Sequence, residues 1–225
     1  MDQNKYYSEF AGKYRNDILN STDPSLWTTD LINNGPISAR MKVRIATLKK
    51  IVNEHFSREF RIFDIGCGFG RQAFVLAKEG FRITGTDTNQ DFIDLAYEIF
   101  SKHSLVGEFH CTKPDENLSD EKFRQVVLLE VLVHIPYGKR RRFIRAVRSV
   151  CTSDSKILIS IPRLKEGFKP WLLNISKYFL SSFFKRDEHP YPIPGEKSIK
   201  IKLGKHFIIL TSIVNDEPVF YRCKS

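Results

Sequence analysis

Phe63-Asp64-Ile65-Gly66-Cys67-Gly68-Phe69-Gly70 is the stretch on which the fold of this chain turns. Arg61 to Ile65 is short and apolar, as a buried strand would be, and Gln72 to Lys78 reads as a helix stopped by Gly80. Between them lie glycines at alternate positions, which let the backbone turn sharply and a ligand approach with no Cβ in the way. A lone glycine loop is weak evidence, because dinucleotide enzymes carry G-x-G-x-x-G in the same place. Here the spacing is G-x-G-x-G, and Asp64 precedes the first glycine, where a carboxylate suits a cationic ammonium better than a pyrophosphate. The second strand, Arg82 to Thr86, runs into Asp87, which is placed to accept hydrogen bonds from both hydroxyls of a ribose. Loop and acid together form a composite stronger than either alone.

Outward from this core the alternation continues: a helix near Gln90 to Lys102, a strand near Glu108 to Thr112, the apolar run Gln125 to Leu132, a basic helix around Lys139 to Val150 and a strand at Lys156 to Ile161. Strands alternating with helices imply βαβ units and a mostly parallel sheet. Upstream, Ser38 is a plausible N-cap and Met41, Ile45, Leu48 and Val52 share one helical face. The residues before it mix aromatics with turn formers and end in Asn33-Asn34-Gly35-Pro36, a strong loop signal, so 1–36 reads as an appendage. Past Pro162 come an aromatic helical stretch, Trp171 to Phe184, and the proline-rich His189 to Gly195. Phe207 to Val214 and Val219 to Cys223, joined by Asn215-Asp216-Glu217-Pro218, read as a β-hairpin.

Composition bounds the rest. The chain has 225 residues, 41% of them hydrophobic, enough for one sizeable core and too few for two ordinary domains. No stretch approaches the run of about 20 apolar residues that crosses a bilayer, and the start has no apolar signal core, so a cytoplasmic protein is expected. Cys67, Cys111, Cys151 and Cys223 lie far apart with no C-x-x-C pair, which argues for reduced thiols rather than zinc or disulfides. A formal net charge of +10 would attract phosphate-rich partners or anionic membrane surfaces, without choosing between them.

The glycine loop, then Gly80-Phe-Arg-Ile-Thr-Gly-Thr-Asp87, then Phe92-Ile93-Asp94-Leu95-Ala96, resembles the class I S-adenosylmethionine-dependent methyltransferases. That resemblance implies S-adenosyl-L-methionine as cofactor. Asp64 and the loop around Gly66, Cys67 and Gly68 would hold its methionyl part, Asp87 its ribose, and Thr88 and Asn89 would flank the adenine. The family's acidic contact to the adenine amino group has Asp115 as its nearest match here, with a plain solvated loop acid as the alternative. Leu129-Glu130-Val131-Leu132-Val133-His134-Ile135-Pro136 is similar to the E-V-L-E-H-V segment of the ubiquinone-biosynthesis O-methyltransferases and their relatives, a segment that borders the transfer site and brings Glu130 to the cofactor. Pro36-Ile-Ser-Ala-Arg40 stands where that group has an Asn-Pro-x-Arg helix start, whose arginine approaches the cofactor carboxylate, and a bidentate pair suits Arg40. These similarities cover roughly residues 37 to 162. They imply a Rossmann-like α/β fold: a seven-stranded, mostly parallel sheet with a C-terminal antiparallel hairpin and helices on both faces. The expected organisation is a cap at 1–36 and a methyltransferase domain at 37–225 with a lid-like insertion near 163–198.

The departures carry information too. Val133 replaces the second glutamate of the E-x-x-E-H pattern that assists a divalent metal in some relatives, which removes a hard oxygen ligand, so no metal is expected. Glu130 and His134 remain as the catalytic candidates, His134 as the base that accepts a proton from a hydroxyl or amine, with a purely structural histidine as the alternative. Tyr6, Tyr7, Phe10 and Tyr14 resemble the aromatic N-terminal segment that closes over the cofactor in many small-molecule methyltransferases; aromatics packed on the core are the plainer reading. Lys139, Arg140, Arg141, Arg142, Arg145 and Arg148 crowd one helix, either as a solvated face or as a footprint for RNA or anionic lipid. The expected activity is methyl transfer to oxygen or nitrogen of a small or lipid-like molecule. An RNA methyltransferase using helix 139–148 and a non-catalytic cofactor-binding partner protein are the alternatives.

Overall fold

The computed structural model describes residues 3–27, 36–113, 117–132 and 134–160, together with the backbone at 213–214 and 217–218. Hydrogen bonding orders the strands β3-β2-β1-β4-β5 in one sheet. The chain divides into two compact units, residues 1–113 with 123–126 and residues 114–122 with 127–225.

In the first unit, β1 (Ile62–Ile65) pairs in parallel with β2 (Ile83–Asp87), and β2 with β3 (Gly107–Cys111). Every residue of β1 is buried, as a central strand covered on both faces requires. Helices α3 (Arg71–Lys78) and α4 (Gln90–Lys102) bury Phe74, Val75, Leu76, Ile93, Leu95, Ala96 and Ile99, each large aliphatic contributing about 1.5–3 kcal/mol. Asn89 starts α4 by accepting the Phe92 N–H at 2.9 Å, the bond an N-cap side chain makes. Gly85 is a steric necessity: an added Cβ would lie 2.8 Å from Phe109 Cδ1 and 3.0 Å from Cys67 Sγ. Two further helices, α1 (Gln3–Asn20) and α2 (Pro36–His55), belong to this unit. On α2 the buried residues Leu48, Ile51 and Val52 include two of the face read from the sequence. Helix α1 buries Ala11 and Ile18 and is tied to α4 by an Arg15–Glu98 ion pair and by Lys102 Nζ donating to Asn20 Oδ1 at 3.1 Å.

Strand β4 (Phe123–Leu129) begins in the first unit, where Phe123 stacks on Phe63 at 4.4 Å, and ends in the second. The second unit holds α5 (Tyr137–Ser149) and β5 (Cys151–Ser160). Phe143, Ile144, Val147 and Val150 are buried. Arg140 departs from the expected basic face. It is buried, and its Nε donates to the Ile135 carbonyl at 2.9 Å, so it secures the turn ahead of α5 instead of facing solvent. The outward cations are Lys139, Arg141, Arg142, Arg145 and Arg148. Thr152 to Ser155, which precede the strand read from the sequence at Lys156 to Ile161, lie inside β5: Ser155 Oγ accepts the Thr152 N–H and Asp154 Oδ1 accepts from Thr152 Oγ1, both at 2.7 Å. These local side-chain bonds satisfy an extended backbone without a reversal.

In place of the expected seven-stranded sheet, the described residues form five strands in the main sheet, and β6 (Ile213–Val214) with β7 (Glu217–Pro218) makes a separate antiparallel pair. Ile213 pairs with Pro218 and Val214 with Glu217, which puts Glu217 and Pro218 in a strand where the sequence reading placed them in the link. The lid-like insertion at 163–198 lies outside the described residues. Among the described residues no helix is long and apolar enough to cross a membrane.

Candidate active site

At the C-terminal ends of β1 and β2 the backbone makes a cradle. Gly66, Gly68 and Gly70 have φ of 74°, 55° and 82°, a left-handed region that side chains disfavour. The Thr86 carbonyl accepts the N–H groups of Gly66 (2.7 Å) and Cys67 (2.9 Å), which stitches the loop to β2. A Cβ on Gly68 would have only Phe92 Cδ2 near it, at 3.9 Å, so the loop leaves open space on that side.

Two carboxylates face this cradle differently. Asp87 Oδ2 accepts the Gly68 N–H at 2.9 Å and Oδ1 the Asn89 N–H at 3.0 Å. A carboxylate has about four acceptor sites, so these bonds fix its orientation and leave capacity for a ligand's hydroxyls. Burial raises its pKa, opposed by the N–H groups of Asn89, Gly68 and Thr88. Asp64 is buried, and its Oδ2 has no hydrogen-bond partner. Burial first, and the charge on Asp87 second, push its carboxyl up to about 7. A buried acceptor without a donor is costly, and a ligand bringing a cationic N–H donor would satisfy it. Cys67, between them in sequence, is held well above its ordinary range by burial and by the charges of Asp64 and Asp87, so its thiol stays protonated. The residues therefore fit a ligand with an ammonium and a ribose, and a pyrophosphate would meet two carboxylates of its own sign.

Helix α1 lies against this loop. Phe10 packs on Phe69 (5.9 Å) and Phe92 (6.2 Å), Tyr7 on Phe92 (5.2 Å), and Ser8 Oγ accepts from Asn89 Nδ2 at 3.0 Å. Tyr7 and Phe10 are thus packed on core residues that are themselves part of the loop and the first turn of α4. Arg71, at the start of α3, donates to the Trp27 carbonyl at 2.7 Å and stands over the Phe69 ring.

In the second unit, Glu130 follows β4 in a left-handed conformation, φ 60°, unusual for a residue other than glycine. Its N–H donates to Ser160 Oγ at 2.8 Å, and Ser160 Oγ donates to Glu130 Oε1 at 3.0 Å. His134 sits in the turn that follows, its N–H donating to the Val131 carbonyl at 2.9 Å. Among the described residues no group of three or more His, Cys, Asp or Glu is placed to hold a metal ion.

The structure thus brings Asp64, Gly66, Cys67, Gly68, Asp87 and Thr88 together; Glu130 is bonded to Ser160, and His134 lies in the turn four residues on, its N–H on the Val131 carbonyl. Asp115 and the side chain of Arg40 lie outside the described residues. Sequence reasoning missed Ser160, Ser8 and the capping role of Asn89. The last was findable, since Asn directly before a helical pattern is an N-cap signal. Ser160, thirty residues from Glu130 in the chain, carried none.

A family model described as a methyltransferase domain matches residues 62–154. Curated relatives are ubiquinone biosynthesis O-methyltransferases. That of Rickettsia akari (strain Hartford) is 26% identical over 68% of this chain and 59% of its own length. The Coxiella burnetii (strain Dugway 5J108-111) protein is 26% identical over 57% of this chain and 53% of its own. The chain therefore spans between half and two-thirds of the length of these relatives. Among solved structures, the magnesium protoporphyrin IX methyltransferase ChlM of Synechocystis PCC 6803 with bound SAH superposes with a TM-score of 0.58, at 16% identity, over 91% of this chain and 86% of that one. At that identity the likeness speaks for the fold, which the two share.

Proposed function

We propose that the chain, whose residues 62–154 match a methyltransferase domain, is a class I S-adenosylmethionine-dependent methyltransferase that moves a methyl group to an oxygen or nitrogen of a small or lipid-like molecule. The unpartnered buried Oδ2 of Asp64, beside a backbone-held Asp87 and a glycine cradle, carries this reading. S-adenosylmethionine supplies a methyl group on a sulfonium that is already a good leaving group, so alignment counts for more than covalent help.

Each residue then has a task. Asp64 binds the ammonium of the methionyl part, and the N–H-rich loop around Gly66, Cys67 and Gly68 lies along it. Asp87 takes the ribose hydroxyls, and Thr88 and Asn89 border the adenine. Arg40 pairs with the cofactor carboxylate, and Asp115 reaches the adenine amino group. Helix α1 serves as the cap, where Phe10 and Tyr7 keep water from the loop. His134 accepts the proton of the acceptor's hydroxyl or amine, and Glu130 orients the reacting groups. The names of the curated relatives favour oxygen as the acceptor atom. The burial of Arg140 weakens the RNA alternative, since it removes one cation from the proposed footprint.

Native mass spectrometry of the purified chain tests the reading. Co-purifying S-adenosylmethionine or its demethylated product with a second small molecule or lipid is expected, whereas bound RNA would promote the nucleic-acid alternative. His134→Ala should lower turnover at least tenfold while leaving cofactor affinity nearly intact, and a fully active variant would remove His134 as the base.

A further inference from the structure

A non-glycine residue in the left-handed region at the end of a strand is strained and persists only where its surroundings hold it. Glu130 is such a residue, and among the described residues it is held by the Ser160 hydroxyl. Ser160, at the last position of β5, accepts the Glu130 N–H at 2.8 Å and donates its own proton to Glu130 Oε1 at 3.0 Å. Backbone and side chain of the same residue are thereby fixed by one atom. Ser160 is buried, 4% exposed, so water competes little for these bonds, while Glu130 is only partly covered.

We propose that Ser160 is a positioning residue for methyl transfer: its hydroxyl clamps Glu130 in the left-handed conformation and takes up Oε1, so that Oε2 is presented to a hydrogen-bond donor, a hydroxyl or an amine, of the bound reactants. The clamp rests on the methyltransferase reading for its purpose and on the two hydrogen bonds for its existence. Its chemistry is specific. A side chain that only accepted would leave Oε1 unbound, and one that only donated would leave the Glu130 N–H unpaired. Serine and threonine do both from this position. The left-handed backbone goes with these bonds: rotating Glu130 about its N–Cα bond into the β region would swing its side chain, and Oε1 with it, away from Ser160 Oγ.

Three variants of the full chain separate the possibilities. Ser160→Ala should speed hydrogen exchange of the Glu130 amide about tenfold or more, the order expected when a buried donor loses its partner, and should move the Glu130 HN–Hα coupling away from the left-handed value. Ser160→Thr should restore both. Glu130→Gly accepts the left-handed backbone without strain and lacks the carboxylate. Transfer is followed with methyl-tritiated S-adenosylmethionine and a total small-molecule and lipid extract of the expression host. Ser160→Ala should lose about tenfold in turnover with S-adenosylhomocysteine affinity unchanged, Ser160→Thr should recover, and Ser160→Ala should add no loss in the Glu130→Gly background. An unchanged Glu130 amide in Ser160→Ala overturns the clamp. A changed amide with wild-type turnover overturns its positioning role. A wild-type chain that labels nothing in the extract, with the amide still responding, defeats the methyltransferase reading and with it the purpose assigned to Ser160.

Discussion

The loop after β1 and the turn after β4 are both strand ends where the backbone enters the left-handed region, and they get there by different means. After β1 the residues are glycines, for which the conformation carries no steric cost, and the bonds that hold them come from the neighbouring backbone of β2 and from Asp87. After β4 the residue is Glu130, and the cost is met by the side chain of Ser160. The first arrangement is built of glycines and backbone groups, with the Asp87 carboxylate accepting from the loop. The second depends on one hydroxyl far along the chain. A cofactor common to many enzymes suits the first kind of site, and a reaction-specific group suits the second.

The largest expected effect breaks the first site. Asp87→Ala removes the acceptor for two backbone N–H groups and, in the proposed function, for the ribose hydroxyls, and should weaken S-adenosylhomocysteine about 100-fold or more in calorimetry. Unchanged affinity would end the ribose assignment. Next, Gly85→Ala tests how tightly the cradle is packed: its Cβ would press on Phe109 and Cys67, costing about 2 kcal/mol and lowering Tm by about 4–8 °C. A Tm within a degree of wild type would show that Phe109 can move aside.

The Asp64 carboxyl gives a smaller, graded effect. With its pKa raised by burial and by Asp87 to about 7, the folded chain holds a proton there that the unfolded chain has released above about 4. Its contribution therefore makes the unliganded chain less stable as pH rises from about 4 through about 7. A cationic ligand needs the ionised form, so S-adenosylhomocysteine affinity should fall as pH drops below 7, by up to about tenfold per unit. Asp64→Asn should flatten that dependence, and a flat wild-type profile from pH 5 to 8 would contradict the ammonium role. The smallest effect is on α5: neutralising Arg141, Arg142 and Arg145 together should change stability by no more than about 0.5 kcal/mol each and leave S-adenosylhomocysteine affinity within about twofold. Loss of a salt-steep RNA affinity in that variant would instead support the nucleic-acid alternative.

What could be read from the sequence follows the same division. The β1 loop was legible because its determinants are contiguous: an apolar strand, glycines in fixed register and an acid at the end of the next strand. Helix α5 was legible in its apolar face, since Phe143, Ile144 and Val147 follow helical spacing. Arg140 was misjudged because composition assigns an arginine to the surface, whereas the carbonyl of Ile135 gives this one a buried partner. The start of β5 was misjudged because Thr152-Ser153-Asp154-Ser155 has the composition of a turn, and only the bonds among those side chains show it extended. Ser160 was invisible because a bond spanning thirty residues leaves no periodicity.

The central claim is that the Asp64–Asp87 cradle holds S-adenosylmethionine. Isothermal titration of the purified wild-type chain with S-adenosylhomocysteine at pH 8, where Asp64 is mostly ionised, tests it most directly. One-to-one binding that is lost in Asp87→Ala and weakened at pH 6 is the predicted result, and no heat of binding up to millimolar ligand would contradict it.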